Sequence, residues 1–370
     1  MKHIRIVALL LVLVMVLGML AGCKKEPAPV DPVDPAPVDP VDPVDPNPPV
    51  DPNPPVKVYP FYNPLTGEGL MTDISAKRPY AIMLNNLTRA LPQYGVSKAD
   101  IIYEVLAEGG ITRMMALYQD VSDVGNIGSI RSARHYYIEL AQGHDAVYIH
   151  AGGSPMAYDM IANGAIASVD GTKGGLSNRV FFRDQNRIQT AGLEHSMFTS
   201  GERLTEHVDT YADIRHEHYD GYNYTQKFVE DGTPANGTSA SMMQAFFTPS
   251  KKTGFQYDSA KGLYGVSEYG APYVDGSDNG QVFVENVLIL FTDVSLIPGD
   301  VAGRLNVRTT GSGSGYYACG GKYVEIYWAR TSTSENFQYL LKDGTPVSLG
   351  VGNSYVCILG EGSEVTFANE

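Results

Sequence analysis

The sequence predicts an α+β protein, with an N-terminal α/β domain followed by a mostly β C-terminal domain that forms a sandwich or a partly open barrel. Up to about residue 218, short apolar runs alternate with stretches of helical spacing. From about residue 221, short strand-like runs are separated by Gly, Asp, Asn and Ser. The composition agrees with a fold rich in strands and turns, since 39 glycines and 24 tyrosines accompany only 18% charged residues.

The N-terminus carries the pattern of a targeting signal. Lys2 and Arg5 precede an almost unbroken apolar run from residue 6 to residue 20, which is followed by Leu-Ala-Gly-Cys ending at Cys23. We therefore predict a bacterial lipoprotein signal over residues 1–22 and lipid on Cys23. The mature chain would then be anchored to the outer face of the cell membrane, in a Gram-positive type of envelope. The alternative is an uncleaved anchor, although the run is shorter than the roughly 20 residues that span a bilayer.

A spacer is predicted between the anchor and the folded part, over residues 23–58. Most of it repeats the unit Val-Asp-Pro. Because each proline fixes its own φ and pushes the preceding residue toward extended geometry, the segment is expected to be disordered but stiff. It would hold the folded domains away from the lipid surface, the alternative being a recognition role for the prolines.

The α/β domain is predicted over residues 59–218. Ser154 and Pro155 open one of its helices, since serine caps helix N-termini and proline suits the first helical position. The predicted strands cover residues 80–85, 101–105, 112–118 and 146–150. The other two predicted helices cover residues 132–142 and 201–214.

The mostly β domain is predicted over residues 221–370. Its strands are expected at residues 244–248, 254–257, 263–268, 282–292, 316–319, 323–329, 337–341 and 355–359. Once Cys23 carries lipid, Cys319 and Cys357 are the remaining cysteines. An exterior location permits a disulfide between them, and the alternative is that both are small apolar residues in strands.

The net charge of −14 excludes two classes of function. A protein this acidic is a poor binder of nucleic acid and of anionic lipid headgroups. No Cys-x-x-Cys, His-Glu-x-x-His or EF-hand spacing occurs, so we expect no metal and no cofactor. The sequence gives no indication of the oligomeric state.

Several motifs together resemble the YerB-like family of Gram-positive lipoproteins. The matching stretches lie at residues 63–67, 98–100, 108–113, 127–134, 150–155, 182–184, 255–258, 285–287 and 315–328. The resemblance implies an extracytoplasmic lipoprotein with two domains of uncharacterised function, and it supplies no catalytic residues. In one place the sequence departs from the family, which usually has Pro-His-Asn where this chain has Glu194-His195-Ser196.

Residues 150–155, His-Ala-Gly-Gly-Ser-Pro, predict an anion-binding loop. The end of a strand, two glycines and a helix N-terminus would direct the backbone N–H groups of Gly152, Gly153 and Ser154 toward one point. The alternative is that Ser154 only caps the helix and the glycines only permit the turn.

Arginines and possible acid–base residues complete the predicted site. Arginine forks suit carboxylate and phosphate groups, so we expect ligand contacts from Arg113, Arg131, Arg134 and Arg183. The alternative is that these arginines form salt bridges with carboxylates of the chain, namely Asp100, Glu104, Glu108, Glu139 or Asp184. His150, His195 and Glu108 are the candidate catalytic residues, because a histidine with a carboxylate can perform general acid–base catalysis.

The favoured function is a lipid-anchored extracytoplasmic protein that binds an anionic envelope ligand, a small molecule or a cell-wall fragment, in its α/β domain. One alternative is an envelope hydrolase or transferase that uses His150 or His195 with arginines in the same cleft. Another alternative is a scaffold that docks a second envelope protein.

Overall fold

The computed structural model describes residues 58–369. The predicted signal, Cys23 and almost all of the predicted spacer lie outside this range. Strands predominate over helices, which confirms the predicted α+β class. Within residues 58–369, no helix is both long enough and apolar enough to cross a membrane.

The first half of the described chain contains all of its α-helices. Its strands are β1 (Phe61–Tyr62), β2 (Gly69–Leu70), β3 (Tyr80–Asn85), β4 (Ile101–Leu106), β5 (Thr112–Tyr118), β6 (Asn126–Gly128), β7 (Val147–His150), β8 (Ser168–Asp170), β9 (Phe182–Arg183) and β10 (Met197–Ser200). The helices are α1 (His135–Gly143), α2 (Pro155–Ala162), α3 (Ser177–Val180), α4 (Gln185–Thr190) and α5 (Gly201–His207). Short 3₁₀ turns lie at Thr88–Ala90, Val96–Lys98, Glu108–Gly110 and Leu193–His195.

The second half is built from strands. They are β11 (Lys227–Val229), β12 (Thr238–Ser239), β13 (Met242–Thr248), β14 (Lys251–Asp258), β15 (Leu263–Glu268), β16 (Ala271–Pro272), β17 (Phe283–Val284), β18 (Asn286–Thr292), β19 (Val294–Leu296), β20 (Leu305–Val307), β21 (Gly311–Cys319), β22 (Lys322–Arg330), β23 (Gln338–Leu341), β24 (Ser348–Gly350), β25 (Ser354–Gly360) and β26 (Val365–Ala368).

One eleven-stranded sheet joins the two halves of the chain. Its order is β12-β22-β21-β18-β25-β4-β5-β3-β7-β8, with β23 also paired to β22. Strand β25 lies between β18 and β4 and is parallel to both. The strands after residue 221 therefore lie in open sheets, and hydrogen bonding continues across the predicted domain boundary. The bounds of the two domains stay a prediction.

Both faces of the large sheet are buried. Side chains alternate between the faces of a strand, so Ile82 and Leu84 of β3 point to one side while Ala81 and Met83 point to the other. The first face packs against an antiparallel six-stranded sheet of order β16-β15-β14-β13-β26, with β17 paired to β15. The second face is covered by α1 and α2. Each fully buried aliphatic side chain contributes about 1.5–3 kcal/mol to folding.

Two predicted helices are shorter than expected. Helix α1 begins at His135 rather than Ser132, because Ala133 is extended and exchanges backbone hydrogen bonds with Gly152 and Ser154. Helix α5 ends at His207 rather than near residue 214. Asp209, two residues beyond the end of α5, accepts a hydrogen bond from the Tyr80 hydroxyl, which ties this segment to the large sheet.

Cys319 and Cys357 are both buried and free. Of the two predicted alternatives, the structure has the unbridged one. Cys357 lies in the core on β25, and the thiol of Cys319 donates to Oε1 of Glu285 at 3.1 Å.

Candidate functional site

The carboxyl ends of three parallel strands, β3, β7 and β8, meet at one edge of the large sheet. Asn85 ends β3, His150 ends β7 and Asp170 ends β8. In α/β sheets, ligands bind preferentially at the carboxyl ends of parallel strands. A ligand site is therefore expected at this edge of the sheet.

His150 presents an acceptor nitrogen at this edge. Its Nδ1 lies 2.8 Å from the carbonyl oxygen of Gly152. Because a carbonyl can only accept, the hydrogen must be on Nδ1, and Nε2 of the neutral ring carries a lone pair. Nε2 is buried and has no hydrogen-bond partner among residues 58–369. Burial lowers the pKa of His150 and keeps the ring neutral, although the Gly152 carbonyl opposes this shift.

The carboxylate of Asp170 occupies the predicted anion-binding loop. Its Oδ1 accepts hydrogen bonds of 2.9 Å from the backbone N–H groups of Gly152 and Thr172. Its Oδ2 accepts one of 2.8 Å from the Tyr158 hydroxyl. Burial opposes ionisation of Asp170, but the hydrogen bonds from Gly152 and Thr172 outweigh it and lower the pKa. The chain thus supplies its own anion to this loop.

The remaining residues of the loop follow the structural alternative. The Ser154 hydroxyl accepts a hydrogen bond from the backbone N–H of Ala157 and caps α2, and its own N–H donates to Ala133. Gly152 adopts φ = +78°, which favours glycine. Gly153 pairs with Ala133 in a short parallel bridge. These three residues therefore shape the turn, and an external anion at the Gly152 N–H would have to displace Asp170.

A cleft of about 560 Å³ lies beside this loop. His150, Tyr158 and Asp170 form part of its polar wall. Lys173 and Asp213 also line it, so two carboxylates stand against one ammonium group. Its apolar wall consists of Ile161, Ala167, Val169, Leu176, Tyr211 and Ile214. The volume falls within the range of about 300–1,000 Å³ that is usual for small-molecule sites.

Glu108 lies between two arginines. Its carboxylate binds Nη2 of Arg113 at 2.7 Å and Nε of Arg134 at 3.0 Å, and it also contacts Nη2 of Arg134. Burial raises the pKa of Glu108, but these guanidinium groups outweigh it and hold the pKa at about 2. Glu108 is therefore a fixed anion near neutral pH. Arg113 and Arg134 form the salt bridges of the structural alternative.

His195 and Arg131 belong to a separate group. Nη2 of Arg131 binds the Glu194 carboxylate at 2.9 Å. Nδ1 of His195 accepts from Nδ2 of Asn85 at 2.8 Å, and its Nε2 lies 3.3 Å from the same Glu194 carboxylate. Both ring nitrogens of His195 are therefore engaged, unlike those of His150. Nη1 of Arg183 binds Ser196 at 3.1 Å.

The predicted site residues thus fall into three groups with different partners. His150 and the glycine loop belong to the cleft, Glu108 holds Arg113 and Arg134, and Arg131 shares Glu194 with His195. The segment from Arg131 to Arg134 runs between the groups and is tied to the glycine loop through Ala133. The side chains of the four predicted arginines bind oxygen atoms of the chain itself, and their contacts to a ligand stay a prediction.

Two models of one family match the chain. The model described as "Protein of unknown function (DUF3048) N-terminal domain" matches residues 65–215, and that of the DUF3048 C-terminal domain matches residues 243–356. The chain belongs to this family. The sequence motifs predicted the same membership, and the prediction is confirmed by a similar protein and by a similar solved structure, both of which bear the name YerB.

A relative and a solved structure, both named YerB and both from Bacillus subtilis, are similar to this chain. The first, from strain 168, is named "Putative lipoprotein YerB" and is 28% identical over 276 residues, which cover 73% of this chain and 78% of the relative. The second is the crystal structure of the YerB protein, which matches with a TM-score of 0.71 at 25% identity and covers 83% of this chain and 99% of that one. The DUF3048 fold is thus shared over most of the described residues.

Sequence reasoning missed most of the cleft. Asp170, Tyr158 and Lys173 lie within the N-terminal DUF3048 match but were not predicted as site residues. One sequence signal could have found Asp170. A mostly apolar stretch over residues 165–169 ends at Asp170 and is followed directly by glycine, as at the end of a buried strand. Within residues 58–369, no group of three or more His, Cys, Asp or Glu side chains is arranged to hold a metal ion.

Proposed function

We propose that this DUF3048 protein is an extracytoplasmic, lipid-anchored binding protein whose cleft takes an envelope glycan or glycan-peptide fragment through its hydroxyl, amide or amine groups. The observation that carries the proposal is Nε2 of His150, a buried acceptor without a partner among residues 58–369, on a side chain that lines a cleft of about 560 Å³. Buried polar atoms almost always have a partner, and one left over at a ligand-sized cleft favours a ligand donor.

The charge of the cleft supports a donor ligand over an anion. Asp170 is held ionised by its backbone hydrogen bonds, and Asp213 is exposed at the same cleft. Lys173 is the cation among the lining residues, and its Nζ lies 5.0 Å from the centre of the Tyr158 ring. Sugar hydroxyls and peptide N–H groups suit the acceptors, while Tyr158, Tyr211 and the aliphatic wall suit the apolar faces of a sugar ring.

The anchoring part of the proposal rests on two supports. The sequence carries the lipoprotein signal pattern ending at Cys23. The similar protein from Bacillus subtilis bears the word lipoprotein in its name. A protein anchored on the outer face would meet cell-wall fragments rather than cytoplasmic metabolites.

A hydrolase or transferase acting in the same cleft is the second candidate. It is favoured by the neutral His150 ring, whose Nδ1–H is held by the Gly152 carbonyl while Nε2 is left as a base. Glu108 and His195 do not support this candidate, because arginines hold Glu108 and both nitrogens of His195 are engaged.

Calorimetric titration of the full chain with a peptidoglycan disaccharide-peptide tests the proposal. We expect saturable binding to the wild type and binding weakened about twofold to tenfold in His150→Phe, the cost of one lost hydrogen bond. Arg131→Ala is the matched variant, because Arg131 binds Glu194 away from the cleft, and it should bind the fragment like the wild type. Circular dichroism of each variant confirms that it is folded.

Inorganic phosphate serves as the opposing probe. Tighter binding of phosphate than of the fragment, lost in Arg131→Ala and kept in His150→Phe, would overturn the proposal in favour of the anion site predicted from the sequence. Cleavage of the fragment, detected by chromatography and lost in His150→Phe, would support the enzyme instead.

A further inference from the structure

A second cluster of ionisable groups lies between the two sheets, away from the cleft. Glu104 comes from β4, Lys251 begins β14 and Glu268 ends β15. The side chains of all three are at most 3% exposed. Thr253 is the partner of Glu268 in the β14–β15 register, and Lys251 lies two residues before it on the same face. The hairpin therefore brings the lysine and the glutamate together.

Lys251 contacts both carboxylates. Its Nζ lies 2.5 Å from Oε2 of Glu268 and 2.8 Å from Oε1 of Glu104. The rings of Phe247 and Tyr269 flank the ammonium, with centres 5.5 and 5.1 Å away. The amine nitrogen is thus held beside the carboxyl carbon of Glu268 in a dry, partly aromatic setting.

Hydroxyl and amide groups hold the oxygens of both carboxyl groups. The Thr253 hydroxyl lies 2.9 Å from Oε1 of Glu268 and 2.7 Å from Oε2 of Glu104. The Tyr355 hydroxyl lies 3.3 and 2.7 Å from the same two oxygens. Nδ2 of Asn86 lies 3.3 Å from the other Glu268 oxygen, Oε2. Such donors stabilise negative charge that develops on a carboxyl oxygen during attack by a nucleophile.

The two carboxyl groups differ in protonation. Burial, together with the neighbouring charge of Glu104, raises the pKa of Glu268 well above its usual value. Burial also opposes ionisation of Glu104, but the charge of Lys251 and hydrogen bonds from Lys251, Thr112 and Thr253 outweigh it and lower the pKa. One neutral carboxylic acid and one carboxylate therefore share one ammonium group.

We propose that Lys251 and Glu268 form an intramolecular amide bond, with Glu104 as the proton acceptor. Glu104 takes one proton from the ammonium, and the neutral Nζ attacks the carboxyl carbon of Glu268. The bond between Nζ and this carbon forms, the bond from the carbon to Oε2 breaks, and Oε2 leaves in a water molecule. Of the three ammonium hydrogens and the one acid hydrogen, the amide keeps one, water takes two and Glu104 takes one. No oxidant or external reactant is needed.

Two physical terms favour the reaction. Holding a nucleophile beside its target removes much of the entropic barrier that a bimolecular reaction would face. Forming a neutral amide also removes an ammonium and a carboxylate from a dry interior, where charged groups carry a desolvation penalty of several kcal/mol each. The bond would join β14 and β15 covalently and would leave Glu104 protonated between the sheets.

Peptide mapping of the full chain by mass spectrometry, after denaturation and digestion with trypsin, tests this proposal. A linked chain gives peptides 228–252 and 262–304 as one branched species, lighter by one water than their sum, because trypsin does not cut at an acylated Lys251. The unlinked peptide 228–251 should be lost from the map. Fragmentation should place the bond between Lys251 and Glu268.

Glu104→Gln is the matched variant, because it keeps the shape of the cluster and both reacting side chains but removes the proton acceptor. We expect its map to contain the unlinked peptide 228–251 and no branched species. Lys251→Arg should behave in the same way. The wild-type map decides the matter even where a variant does not fold.

An unlinked Lys251 in the folded wild type would overturn the proposal and leave the cluster as an ion pair. A bond to Glu104, or a link to Asn86 with loss of ammonia, would also overturn it. Branched peptide in Glu104→Gln at the wild-type level would overturn the role of Glu104.

Discussion

Two buried polar clusters in this protein differ in how completely their groups are paired. Between the sheets, the Lys251 nitrogen and all four carboxyl oxygens of Glu104 and Glu268 have partners. At the carboxyl edge of β7 and β8, Asp170 is equally well bound, but Nε2 of His150 has no partner among the described residues. A complete network stabilises or links the fold, whereas an incomplete one at a cleft is suited to a ligand.

The largest expected effect comes from the complete cluster. Lys251→Met removes the bond to Glu268, or the ion pair that precedes it, and leaves two carboxyl groups buried without their lysine partner. It should lower the free energy of unfolding by at least about 3–5 kcal/mol, measured by urea denaturation. Lys252→Met is the matched control, since Nζ of Lys252 contacts Gln244 at a half-exposed position. It should change stability by less than about 0.5 kcal/mol. Equal losses in the two variants would remove the distinction between the clusters.

Asp170→Asn should give the next largest effect. It removes the charge that accepts hydrogen bonds from Gly152 and Thr172, at a cost of about 1.5–3 kcal/mol in the free energy of unfolding. Asp213→Asn changes an exposed carboxylate at the same cleft and should leave stability nearly unchanged. A stable Asp170→Asn protein would mean that the glycine loop does not depend on this internal anion.

The smallest expected effect is the contribution of His150 to the pH dependence of stability. Its pKa is lowered in the folded protein, so the unfolded chain binds more protons below the ordinary histidine pKa of about 6.5. The stability that the neutral His150 contributes is complete above pH 6.5 or so and is lost as the pH falls below about 6.5. Thermal unfolding at one pH above and one pH below about 6.5 should show a larger drop in Tm for the wild type than for His150→Gln. Identical losses would contradict a neutral, buried His150.

The local elements could be predicted from the sequence, because period and capping are local properties. The strands at Tyr80–Asn85, Thr112–Tyr118 and Leu263–Glu268 have the predicted bounds, and Ser154 caps the predicted helix. The pairing of strands could not be predicted in this way. Strand β25 joins β4 across about 250 residues, and no local pattern encodes that partnership.

The site was harder to predict for the same reason. The glycine loop was found, but its anion comes from Asp170, 18 residues beyond Gly152, through a parallel pairing that the sequence does not show. The arginines were found, but their carboxylate partners were identified only in part. The cluster of Glu104, Lys251 and Glu268 gave no signal, because Glu104 lies on β4, far along the chain from the β14–β15 hairpin that holds the other two.

The ¹⁵N NMR spectrum of His150 in the full chain tests whether Nε2 is a free acceptor that the ligand binds. It is assigned with His150→Gln and recorded without and with the peptidoglycan fragment. We expect a protonated Nδ1 and an unprotonated Nε2 at neutral pH, with the Nε2 signal shifting toward its hydrogen-bonded position on addition of the fragment. A protonated Nε2 in the free protein, or an Nε2 signal that saturating fragment leaves unmoved, would contradict this expectation.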